Sequence, residues 1–113
     1  MDVRPSDVSR HRSERYVILT LLASSSRPWM PFRTLFLAMD RRGHSLSLDN
    51  LQYHIERILE PEDLVAVRRV RDLSAELREG DRRSPADIDA VKLMPRGFTA
   101  VNEPEKFDEV ERP

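Results

Sequence analysis

One short stretch, Ser47 to Leu59, gathers side chains that could recognise a nucleic acid. Asn50 and Gln52 carry amides able to pair bidentately with adenine, and Arg57 can reach guanine or phosphate. Ser47 and Tyr53 offer hydroxyls to phosphate oxygens. A helix seated in a major groove needs three or four such groups near its N-terminal half. Asp49 and Glu56 fall on the same face and repel phosphate, so a solvated or partner-facing surface stands as the alternative. Arg41 and Arg42, just upstream, form the best-placed phosphate-binding pair. Such a pair at a helix C-terminus is also simply favourable with the helix dipole. Arg10, Arg12, Arg15, Arg27 and Arg33, and later Arg82 and Arg83, are further sources of phosphate contact, most of which read more simply as surface charges, while Arg82 and Arg83 are counted with the DNA-binding set.

Other chemistry finds little support. With three glycines a phosphate-cradling loop is hard to build, and no nucleophile-elbow or serine–histidine–aspartate order is present. The carboxylates lie in hydrophilic runs, where they are solvated rather than tuned. His11, His44 and His54 match no ligand spacing, and there is no cysteine, so no metal or cofactor is expected. His54 reads as a half-buried histidine bonded to backbone. No enzyme activity is expected.

The elements that must position these groups follow in order. Residues 1–8 form a loose lead-in. A first helix begins near Ser9 and runs through the apolar stretch Tyr16 to Ala23. That stretch could be a buried strand, but the charged residues before it extend the segment to helical length. Ser24–Ser26 and Pro28 end it. Trp29, Met30 and Phe32 make an apolar link that reads as core or as a dimer contact. A second helix spans Pro31 to Arg42, with Phe32, Leu35, Phe36 and Met39 facing inward, and Gly43 stops it. Ser47 caps the third helix, whose apolar face is Leu48, Leu51, Ile55, Ile58 and Leu59. Pro61 ends that helix. Leu64 to Val70 and Ile88 to Leu93 are two strands. Between them lie charged residues with five acids, either a long wing or a loop with one turn of helix around Leu73–Arg78. Pro95–Gly97 turns the chain, and Phe98 and Val101 pack back.

Length of 113 residues indicates one domain, here over 9–101, with the wing at about 64–93. The net charge of −1 conceals an asymmetry. Residues 1–59 hold nine arginines against six acids, whereas 60–113 hold ten basic and fourteen acidic side chains. Residues 102–113 carry five acids against two cations and are expected to be a disordered acidic tail. No stretch approaches the roughly 20 apolar residues of a membrane span, and the polar N-terminus lacks a secretory core. The chain is expected to be cytoplasmic.

Leu51-Gln52-Tyr53-His54-Ile55, Leu59 and Leu64-Val65 resemble the passage from recognition helix to wing in winged helix-turn-helix regulators. Lys92-Leu93-Met94-Pro95-Arg96-Gly97 is similar to the passage that closes the wing, with Met94 in place of threonine. In length, element order and the Glu111-Arg112-Pro113 ending, the chain resembles small winged-helix proteins of Mu-like prophages. The resemblance covers residues 13–101. It implies an α+β fold, a three-helix bundle with a two-stranded wing. It also implies a DNA-binding transcriptional regulator that docks its third helix on double-stranded DNA, commonly as a homodimer. The alternative is a winged-helix module that binds a protein partner. One departure is Asp63 before Leu64-Val65, where the family usually has glycine, so the positive-φ turn would have to be made differently. The acidic wing is a second departure.

Overall fold

The computed structural model describes residues 5–69 and 88–113. Helix α1 spans Pro5–Ala23, four residues longer at its start than the sequence pattern suggests. Proline suits a helix's first turn, because its φ is already helical and the missing N–H has no intrahelical role there. Val17, Ile18, Leu19, Leu21 and Leu22 are all buried, so the second half of α1 runs through the middle of the core. A helix apolar on most sides must be surrounded, and α1 packs against α2 (Phe32–Arg41), against strand β3 (Ile88–Leu93) and against α4 (Pro95–Asn102).

The link before α2 is a strand rather than a plain connection. Trp29–Pro31, β1, pairs antiparallel with β3, setting Trp29 opposite Lys92 and Met30 opposite Val91. β2, Val65–Arg69, pairs with the other side of β3, and the sheet order is β1-β3-β2. β1 is an edge strand, where a proline lacking its N–H is tolerated. Met30 and Phe32 are buried in the core, so the dimer contact considered for that group is not available to them.

α2 buries Phe32, Leu35 and Met39 at the expected spacing. It ends with Gly43 at φ 85°. The Gly43 N–H donates to the Asp40 carbonyl and the His44 N–H to the Met39 carbonyl, the two bonds of a Schellman cap. α3 covers Leu48–Tyr53 and continues as a π-helical turn, His54–Leu59, marked by the Glu60 N–H donating to the Ile55 carbonyl. Pro61 accounts for the widening. It cannot donate, and its ring would meet the carbonyl four residues back in a regular α-helix. The helix ends at Leu59, with Glu60 as its cap and residues 60–63 in a turn, so Pro61 closes it as expected. Asp63 N–H donates to the Glu60 carbonyl and Leu64 N–H to the Leu59 carbonyl, a second Schellman cap. Asp63 takes φ 60°, so the turn expected to be made differently is made in the usual way by a non-glycine residue.

Residues 95–102, expected to turn and pack back, form α4. Gly97 sits so close beneath the Leu64 carbonyl and the Leu93 side chain that a β-carbon there would collide with both. The segment 102–113 departs most from expectation. A 3₁₀ turn at Pro104–Lys106 leads to Phe107 and Val110, both buried in the main core. An acidic composition predicts solvation, but two apolar residues three apart suffice to anchor the strap. The fold of the described residues is thus α+β, four helices with a small three-stranded antiparallel sheet. None of those helices is long and apolar enough to cross a membrane. The expected loop or wing at 71–87 lies outside the described residues.

Candidate functional site

The third helix is held at its start by Ser47, whose Oγ accepts the Asn50 N–H at 3.1 Å. Leu51, Ile55 and Leu59 are fully buried, which fixes the rotation of the helix and turns Asp49, Asn50, Tyr53 and Arg57 outward. Arg41, Arg42 and Ser47 are likewise exposed. The structure therefore presents six of the nine residues named from sequence. Gln52 is half-buried and donates to Glu56 Oε1 at 2.7 Å. Arg82 and Arg83 lie outside the described residues.

Gln52, Tyr53 and Arg57 line one groove of about 570 Å³, together with Asp49, Glu56, Glu60 and Arg69. Arg69, at the end of β2, was not singled out in sequence. It forks over two acids, with Nη2 2.8 Å from Glu56 Oε2 and 2.8 Å from Glu60 Oε1. Its other nitrogens also reach them, Nε to Glu56 and Nη1 to Glu60, each at 3.2 Å. The bonds to Glu60, and then to Glu56, raise its pKa above the ordinary arginine value. The fork compensates much of the negative charge of the α3 face. Asp49 remains an exposed acid at its first turn.

The Trp29 ring is met by two cations, Arg68 at 5.2 Å from its centroid and Lys92 at 5.8 Å. Arg68 also holds Asp89 at 2.8 Å. Two of the arginines considered as phosphate ligands serve elsewhere. Arg12 donates to the Asp108 and Val110 carbonyls and pairs with Glu111. Arg15 donates through Nε to the Glu109 carbonyl at 2.6 Å. Both clasp the 102–113 strap onto α1.

Behind α3 lies a buried polar cluster. His54 is 1 % exposed, and its partners are side chains rather than backbone. Its Nε2 is 3.3 Å from Glu14 Oε1 and its Nδ1 is 3.2 Å from Arg15 Nη1. A guanidinium can only donate, so Nδ1 accepts and Nε2 carries the proton toward Glu14. His11 Nδ1 is 3.3 Å from the same Glu14 oxygen. Burial first, and Arg15 second, push the His54 pKa down to about 4, against the opposing pull of Glu14. Burial also lowers Arg15. The available sequence signal was the His11–Glu14 spacing, one helical step on one face. His54 is too distant in the chain for any spacing rule to join it. Comparison with family models, curated proteins and solved structures finds no match to this chain.

Proposed function

We propose that the chain is a winged-helix DNA-binding regulator that docks α3 in the major groove of double-stranded DNA. The reading is carried by the outward set on α3 and the π-helical turn that continues it, namely Asn50, Tyr53 and Arg57, following exposed Arg41 and Arg42. The order of elements supports it: a strand between the first two helices, then two strands after the third, with β3 central. Asn50 and Arg57 have the donors and acceptors to address base edges. Arg41 and Arg42 supply charge for phosphate, the term that dominates affinity. A homodimer would set two such helices about one DNA turn apart. The likeness to small Mu-like prophage proteins belongs to the same proposal, as do action without enzymatic chemistry and a cytoplasmic location.

A specific observation favours a second reading. Asp49, Glu56 and Glu60 outnumber Arg57 and Arg69 around the groove, a balance suited to a protein module that binds a basic partner segment. Fluorescence anisotropy of a random-sequence duplex with the full chain separates the two. The DNA reading expects roughly micromolar binding that weakens steeply with salt. It also expects the double substitution Arg41→Ala, Arg42→Ala to weaken binding and to flatten the salt slope by about two phosphate contacts. An absence of binding at low salt would leave the protein-interaction module as the better account.

A further inference from the structure

His11 and Glu14 are one helical step apart on α1, and His54 begins the π-helical turn that follows α3. The three groups meet although 40 residues separate Glu14 from His54. Their ligand atoms all lie within 4.8 Å of one another. We propose that His11, Glu14 and His54 form a binding site for a divalent transition metal of the zinc class.

The geometry carries the inference. Glu14 Oε1 stands 3.3 Å from His11 Nδ1 and 3.3 Å from His54 Nε2. Those distances lie just beyond the ordinary N–H···O range of about 2.7–3.2 Å. The same two distances equal the edge of a tetrahedron whose centre lies about 2.0 Å from each corner, the bond length zinc makes to nitrogen and oxygen, and rotation of the His11 ring sets the third edge, which lies within 4.8 Å. Two imidazoles and one carboxylate select zinc-like ions over magnesium or calcium, which prefer oxygen. Three protein ligands leave a fourth position for water, and the His11 side chain, 43 % exposed, provides the way in.

Occupancy rearranges one hydrogen bond. With the metal on Nε2, the ring proton resides on Nδ1, so Arg15 Nη1 swings away while its Nε stays on the Glu109 carbonyl. Metal uptake is thereby linked to the arginine that clasps the 102–113 strap.

The test is zinc titration of the chelator-stripped full chain by calorimetry, with cobalt absorption as a second readout. Expected are one ion per chain, a raised melting temperature and the intense visible bands of four-coordinate cobalt. His11→Ala, at a half-exposed position that leaves the buried Glu14–His54 pair intact, should weaken binding by at least about tenfold, since even outer-shell changes cost that much. His44→Ala should leave it unchanged. A chain that takes up no zinc overturns the proposal, as does uptake that His11→Ala leaves unaltered. Six-coordinate, weakly absorbing cobalt would also overturn it. None of these outcomes depends on whether the chain binds DNA.

Discussion

At the scale of single residues, His54 links stability to pH. In metal-free buffer the unfolded chain protonates this imidazole near its ordinary value of 6.5, whereas the folded chain resists until about 4. Below pH 6.5 the unfolded state therefore binds more protons, and acid progressively favours it. The contribution is fully present above the unfolded value and is lost as pH falls toward the folded one, a loss of about 3 kcal/mol in all. Urea midpoints measured at pH 7 and at pH 4.5 should show the fall, and His54→Gln should shrink it. An undiminished fall in that variant would place the titration on other groups. This cluster was invisible in sequence for a physical reason. A histidine's partners are set by packing between elements, and the one local sign, His11 a helical step from Glu14, is common on solvated helices. Spacing alone dismissed the histidines as metal ligands, yet folding brings two of them onto one carboxylate oxygen.

At the scale of elements, local rules worked wherever the stabilising groups are near in sequence. The inward residues of α2, the Ser47 cap and the bounds of β3 follow from periodicity and side-chain chemistry within a few residues. β1 did not follow, because three residues cannot display alternation and its partner strand lies some sixty positions later. Pro61 follows directly on the helix's end at Leu59 and Glu60, as its ring dictates, and Asp63 completes the turn after it in the left-handed region. That conformation costs an L-residue roughly 1 kcal/mol, less for aspartate than for most. Asp63→Gly should therefore stabilise the fold by about 0.5 kcal/mol after glycine's greater chain entropy is deducted. A thermal melt reads the gain, and a lower midpoint would show that the aspartate carboxylate contributes more than its backbone strain.

At the scale of the whole molecule, the strap of residues 102–113 is part of the body. Its charge suggested a solvated tail, since composition averages over residues while burial is decided by individual ones. Phe107 and Val110 reach the main core, and Arg12 and Arg15 hold the backbone between and beyond them. Phe107→Ala should cost about 3 kcal/mol, and a chain ending after Val101 should lose more, both measurable by urea unfolding. A truncated chain as stable as the full one would reduce the strap to a surface decoration.

The central place of β3 has a consequence for how the protein is made. Both other strands precede it in the chain, and both hydrogen-bond only to it within the sheet. While the ribosome has delivered residues up to 87, neither strand has its partner, and the apolar middle of α1 has no sheet to lie against. The strap arrives later still. Vectorial synthesis thus leaves an apolar helix without its sheet until β3 and the strap have emerged, which makes folding a closing event.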